Sequence, residues 1–344
     1  MTAPAQPPLV ATHKPLRIGI AGAGAIGGLL AARLGTAGHH VSMLARGRTL
    51  DVLKADGVRL DDLHGSTQVR VRASLEADFG PQDVLFMCSK AQDLHDLARA
   101  AMPMIGPDTV IVPTPNGVPF WYFQGAGRRF DGQAVEAVDP GGALLSLLPM
   151  EQVVGTALYI TAEAVAPGHI VSGNPHLMVL GEPCGGISDR LRALAEVVSG
   201  AGIEGRAVEQ IRDPLWTKII ANMTSNLISV VSGATLHDIF SREDLVPRTL
   251  AVMYEVMLAA ACHGARLSID PIEFLELGAA MGPVRTSMLQ DHLRGRPLEL
   301  AAIGQSVIEL ADKYSLPMTA TRELYEQVRL AQRDARAAHA TQAA

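Results

Sequence analysis

Gly22-Ala23-Gly24-Ala25-Ile26-Gly27 comes after the apolar run Leu16-Arg17-Ile18-Gly19-Ile20-Ala21 and leads into a helix-forming run at 29–34. A strand, a glycine turn and a helix in that order make a dinucleotide site in sequence form. The chain must turn sharply at Gly22, a pyrophosphate must approach the backbone at Gly24 without a side chain in the way, and the helix must pack on the strand at Gly27. The free N–H groups of the first helical turn, with Ala25 and Ile26 in it, and the positive end of the helix dipole then face the anion.

The end of the next strand selects the cofactor. A second strand pattern at 40–45 ends at Arg46, with Arg48 close behind, about 20 residues past the glycines, where an NAD site would carry Asp or Glu. A guanidinium there can grip a 2′-phosphate through a fork of donors, so the expected coenzyme is NADP(H).

Strand-like and helix-like segments alternate through the first half, as in a doubly wound parallel sheet. Residues 83–88 read as a buried strand leading to Lys90 and a helix. Residues 109–113 read as the next strand, ending at Pro115-Asn116-Gly117. Ligands of open sheets sit outside the carboxyl ends of the strands, where Lys90 and Asn116 are well placed to border the nicotinamide, and each by position alone fits a capping or turn residue equally well. From 153 to 182 the pattern is strand-rich and reads as an antiparallel extension of that sheet. A helix is expected next, at 187–200. Beyond 207 helical runs at 213–230, 243–263, 271–281, 298–314 and from 319 predict an all-helical domain. The expected fold is therefore α/β, an N-terminal Rossmann-type doubly wound parallel sheet plus a C-terminal all-α domain. Its expected boundaries are a disordered lead-in at 1–14, an NADP-binding domain at 15–206, a helical substrate domain at 207–335 and a frayed tail at 336–344.

Composition narrows the partners. At 344 residues and net charge −6 the chain carries no basic field for nucleic acid or anionic lipid, and no stretch approaches about 18 uninterrupted apolar residues. A small-molecule partner, no nucleic acid and no membrane are expected. Three scattered cysteines, Cys88, Cys184 and Cys262, have neither metal-ligand nor redox spacing and suit a reducing compartment, so cytoplasm is the expected location and no metal is expected. The apolar surface of 245–263 suits a homodimer through the helical domain and packing within one chain equally well.

In the run that begins Asp213-Pro214, Lys218, Asn222 and Asn226 fall at i, i+4 and i+8 and form one stripe among apolar neighbours. Asp213 reads as the N-cap, with Pro214 at the first helical position. An ammonium and two amides with little water need partners, which a substrate can supply. Taken alone, the stripe also fits a lysine that snorkels to solvent beside asparagines bonded to neighbouring loops. Further on, Arg285-Thr286-Ser287-Met288-Leu289-Gln290-Asp291 has turn and helix-start character. Glu299, two residues after Pro297, falls near another helix start.

With the glycine loop and its arginine, Lys90, Asn116-Gly117, the Lys218-Asn222-Asn226 helix and the segment from Ser287 to Glu299 in this order, the chain resembles the ketopantoate reductase (2-dehydropantoate 2-reductase) family over roughly 16–330. The resemblance implies an NADP-dependent reduction of a 2-oxo acid to the 2-hydroxy acid. It makes Lys218 the proton donor and Glu299 the group orienting the lysine or the substrate hydroxyl. Asn222 and Asn226 would hold that hydroxyl, Ser287 the carboxylate, and Asn116 and Lys90 the nicotinamide side. It also implies that two domains close over the substrate and expel water.

The chain departs from the family after the glutamate, where Leu300-Ala301-Ala302-Ile303-Gly304 replaces an aspartate and an Asn-Gly pair. It departs again before Asn116, where Pro115 stands for a histidine. The aromatic run Pro119-Phe120-Trp121-Tyr122-Phe123 is expected to add bulk near that rim, and together these departures fit either scaffold variation or a pocket built for a larger or less polar 2-oxo acid than ketopantoate. The competing readings are a β-hydroxyacid dehydrogenase of the 3-hydroxyisobutyrate type, whose glycine-rich substrate stretch is missing here, and a non-catalytic NADPH-binding sensor, which would not need Lys218, Asn222, Ser287 and Glu299 together.

Overall fold

The computed structural model describes residues 14–127 and 129–343; the lead-in expected at 1–14 lies outside them up to residue 13. The chain forms two compact units. One takes the chain up to Pro115, then Gln124–Gly132 and Ala143–Ile211; the other takes Asn116–Phe123, Gln133–Gly142 and the chain from Arg212.

The first unit begins with β1 (Arg17–Ala21), α1 (Ala25–Thr36), β2 (His40–Leu44), α2 (Gly47–Ala55), β3 (Val58–Asp62), β4 (Gly65–Val69) and β5 (Arg72–Ser74). It continues with β6 (Val84–Met87), α3 (Leu94–Ala101), β7 (Val110–Pro113) and α4 (Ala143–Leu147). Strands β8 (Gly155–Tyr159), β9 (Ala162–Ala166), β10 (His169–Ser172) and β11 (Leu177–Gly181) precede α5 (Asp189–Gly200) and β12 (Glu204–Ala207).

An all-parallel sheet in the order β5-β2-β1-β6-β7 forms its centre, and the order reverses between β1 and β6. Strands this apolar, with Ile18, Ile20, Met43, Leu85 and Phe86 fully buried, are the kind that a parallel sheet covers on both faces. Past the end of α1, Gly38 has a φ of +90°, which lets His39 N–H reach the Leu34 carbonyl at 3.1 Å and closes the helix.

Residues 153–182 do not extend that sheet as expected. Strands β8 and β11 pair antiparallel and β12 joins β11 in a separate three-stranded sheet, linked to β7 through the single parallel bridge Ile111 to Val153. Strands β9 and β10 complete a four-stranded sheet, β4-β3-β10-β9. The physical reason lies in β3 and β10, whose buried Val58, Leu60 and Ile170 need an apolar cover. Helix α1 offers it at Gly28, where a Cβ would come within 2.6 Å of Ile170 Cγ1.

The second unit is helical: α6 (Arg212–Ser232), α7 (Leu236–Ser241), α8 (Val246–Cys262), α9 (Pro271–Ala280), α10 (Ser287–Leu293), α11 (Ser306–Asp312) and α12 (Thr319–Ala343). The run expected at 298–314 opens as a π-turn, Ala301–Gln305, before α11. The short α7 is not signalled as a separate element by the sequence pattern, whereas α10 begins in the segment read as a helix start. Among the described residues no helix is long and apolar enough to cross a membrane.

The aromatic run at 119–123 is taken up in the helical unit's core: Phe120, Trp121, Tyr122 and Phe123 are all buried there. Trp216 Nε1 donates to the Tyr122 hydroxyl at 2.8 Å, and the Arg212 guanidinium donates to the Tyr122 carbonyl from Nε at 2.9 Å and from a terminal nitrogen at 2.7 Å. His263 packs against Tyr122, Trp216 and Tyr314 and bonds the Leu310 carbonyl at 2.9 Å. Asp213 is not the N-cap of α6. The helix already starts at Arg212, and the Asp213 carboxylate accepts the Arg266 N–H at 2.8 Å.

Candidate active site

Three glycines shape the end of β1, and each is constrained differently. Gly22 has φ +99°, and a Cβ there would stand 2.6 Å from the Cys88 carbonyl oxygen, at the point where the strand order reverses. A Cβ at Gly27 would fall 2.0 Å from the Gly22 carbonyl, so only glycine lets α1 seat on the turn. A Cβ at Gly24 would meet nothing within 4 Å. That open backbone heads α1, whose N-terminus has no side-chain cap, with Ala25 and Ile26 half-buried in the first turn. The first N–H groups of a helix lack partners inside it, and this arrangement fits the pyrophosphate of a dinucleotide.

The same edge of the sheet carries the other residues assigned to the coenzyme. Gly22 N–H bonds the Leu44 carbonyl at the end of β2 at 3.1 Å, and Arg46, two residues on, is exposed. Lys90 is half-buried two residues after Cys88, and its carbonyl accepts the Asp93 N–H at 3.0 Å. Burial pushes the Cys88 thiol up to about 12, which makes it an unreactive wall behind the glycine turn. Sequence reasoning passes over Ser89. Its hydroxyl is buried without a hydrogen-bond partner between Cys88 and Lys90, and no pattern in the sequence signals it.

In the helical unit α6 carries the stripe. Burial alone holds the Lys218 ammonium below the ordinary lysine value of 10.5, although part of the side chain still meets solvent. One helical turn on, Asn222 is only 8% exposed, and its Nδ2 is buried with no hydrogen-bond partner. Asn226 is 5% exposed. A buried amide donor left open costs about 1–3 kcal/mol, which a bound ligand's oxygen would recover.

Two further segments meet this unit's helices. Ser287 is the first residue of α10 and is exposed, while Thr286 before it caps the helix by accepting the Leu289 N–H at 3.1 Å. Glu299 directly precedes the helical stretch that leads into α11, and its carbonyl accepts the Ile303 N–H at 3.0 Å. The Asn116-Gly117 pair docks one turn along. Val118 N–H bonds the Ala302 carbonyl at 2.9 Å, and Gly117, at φ +86°, lies so close that a Cβ would be 2.0 Å from that oxygen. The small residues after Glu299 thus have a packing reason: Ala302 admits the 116–118 backbone, and a Cβ at Gly304 would come within 2.6 Å of the Tyr325 ring. The π-turn there, like many, lies beside candidate functional residues.

Gly22, Gly24, Ala25, Ile26, Gly27, Arg46 and Lys90 belong to the α/β unit. Asn116, Lys218, Asn222, Asn226, Ser287 and Glu299 belong to the helical one. Comparison with known proteins gives this pattern a family. Residues 18–184 match the family model described as ketopantoate reductase PanE/ApbA, and residues 210–332 match its C-terminal counterpart. The chain belongs to the ketopantoate reductase family. It is 37% identical over 297 residues to the 2-dehydropantoate 2-reductase of Mesorhizobium japonicum, covering 86% of this chain and 91% of that protein. A structure solved from Ralstonia solanacearum MolK2 as a candidate ketopantoate reductase is 37% identical, covers 92% of this chain and 98% of its own, and superposes with a TM-score of 0.88. The fold is also shared by a D-mandelate dehydrogenase solved with NADH and anilino(oxo)acetate, at 18% identity and TM-score 0.79, with 92% of this chain and 99% of that one covered. The chain is thus an oxidoreductase of the 2-dehydropantoate 2-reductase type.

Proposed function

We propose that the chain reduces a 2-oxo acid, ketopantoate or a close relative, to its 2-hydroxy acid with NADPH, and that Lys218 gives the proton. The observation that carries this reading is the α6 stripe: an ammonium depressed by burial, one turn from an amide donor that is buried and unpartnered.

The residues of the glycine turn fit a dinucleotide, and Arg46 at the end of β2 suits a 2′-phosphate, which supports NADPH over NADH. When bound, the coenzyme supplies the hydride to the carbonyl carbon. Lys218 then transfers a proton from Nζ to the oxygen that becomes the hydroxyl. A lysine near its ordinary value would be a poor acid at neutral pH, and burial brings it toward working range. Asn222 and Asn226 hold the substrate hydroxyl, Ser287 the carboxylate, and Glu299 orients the lysine or the hydroxyl. Asn116 and Lys90 hold the nicotinamide. If ketopantoate is the preferred acid, the enzyme serves pantothenate biosynthesis.

The test is NADPH oxidation against a panel of 2-oxo acids that includes ketopantoate and aryl-substituted members. The expected result is turnover that falls by about 10²-fold or more in Lys218→Ala, the scale for a positioned acid. Near-normal turnover in that variant removes Lys218 from the mechanism.

A further inference from the structure

The α6 stripe does not stop at Asn226. Three residues on, Ser229 is fully buried, and its hydroxyl donates to the Asn226 carbonyl at 2.7 Å. That bond uses the one hydroxyl proton of Ser229, so the 2.6 Å contact between Ser229 Oγ and Thr286 Oγ1 has Thr286 as donor. Thr286 Oγ1 in turn accepts the Leu289 N–H at 3.1 Å. The result is a directed chain of three hydrogen bonds, Leu289 N–H to Thr286, Thr286 to Ser229, Ser229 to the backbone of Asn226. Every donor in it has an acceptor. It joins the start of α10 to the part of α6 that carries the substrate amides, in a region where Ser229 is 0% and Thr286 7% exposed.

We infer that Ser229 and Thr286 are positioning residues that fix the height of Ser287 against the α6 stripe, and so set the grip on the substrate carboxylate. Ser287 itself is exposed on the first residue of a seven-residue helix. Its place is dictated by the backbone it shares with its neighbour Thr286. A capping hydroxyl could be anchored by backbone alone. Here it is anchored by a buried side chain from the same helix, α6, that bears Asn222 and Asn226, which makes the link specific to the proposed site. The inference rests on the reading of Ser287 as the carboxylate's partner.

Ser229→Ala separates the two duties of Thr286, because it breaks the link between helices and leaves the cap on Leu289 intact. With ketopantoate and NADPH, Ser229→Ala is expected to raise the KM for the 2-oxo acid by about tenfold, with kcat and the KM for NADPH within about twofold, as for lost uniform binding. Thr286→Val should do the same more strongly, and Thr286→Ser should restore wild-type values. In a Ser287→Ala background, Ser229→Ala should add no further change, because the two act on one contact. A 2-oxo acid KM unchanged in both Ser229→Ala and Thr286→Val, while Ser287→Ala raises it, overturns the positioning role and leaves the Ser287 reading standing. An unchanged KM in Ser287→Ala overturns that reading itself, and the inference with it. An equal rise in the KM for NADPH also overturns the inference, since that is what general loosening of the unit would produce.

Discussion

Lys218, the proposed acid, stands where burial works against stability. Burial disfavours its charged form, so its pKa in the folded chain lies below the 10.5 of an exposed lysine. The unfolded chain therefore binds the proton more tightly, and folding bears the penalty wherever the folded lysine is charged. That penalty is whole below the lowered pKa and fades as pH rises through it toward 10.5. Lys218→Met should accordingly raise the Tm at neutral pH, and the gain should shrink in alkaline buffer. A lower Tm for the variant at pH 7 would show that the ammonium is stabilising. Gly117 makes the complementary case in the backbone. Its φ of +86° and its approach to the Ala302 carbonyl leave no room for a Cβ. Gly117→Ala should destabilise the chain by about 2 kcal/mol or more in denaturant unfolding and displace Asn116 with it. A loss below about half a kcal/mol would mean that the loop simply shifts aside.

Among the elements, those written in local pattern were legible and those set by partners were not. The glycine turn, the parallel strands and the α6 stripe arise from spacings of a few residues, and each stands where the residues placed it. The second and third sheets were not legible as such, because Ile170 finds its cover at Gly28, more than a hundred residues away, and no periodicity in 153–182 records that. The aromatic run beside Asn116 was not legible for the same reason: bulk alone does not say that Trp216 and Arg212 will claim Tyr122. At the site, Ser229 could have been found by continuing the helical stripe one step. Ser89, with no pattern around it, could not. Arg46, at the end of β2, carries the prediction that belongs to this scale. Arg46→Ala should raise the KM for NADPH by roughly tenfold or more, the loss of a charge-assisted bond, and leave the KM for NADH nearly unchanged. Equal effects on both coenzymes would refute the phosphate assignment.

Over the whole molecule the labour is divided. Of the residues assigned to the coenzyme all but Asn116 belong to the α/β unit, while Asn116 and those assigned to the substrate and the proton belong to the helical unit. On the proposed reading neither set is sufficient by itself: the glycine turn with Arg46 would bind a nucleotide without reducing anything, and the Lys218 ammonium would polarise a carbonyl without a hydride to complete the reaction. The family relation fixes the class of chemistry, and the departures after Glu299 are explained by packing at Ala302 and Gly304. That explanation leaves ketopantoate a natural first substrate. The central claim is that Lys218 is the acid, and the most direct test is the pH dependence of kcat for ketopantoate reduction at saturating NADPH, in the wild type and in Lys218→Ala. The account predicts a wild-type turnover that falls on an alkaline limb centred below pH 10.5, and a variant about 10²-fold slower that lacks this limb. A variant that keeps the same limb, or nearly the same rate, would contradict it.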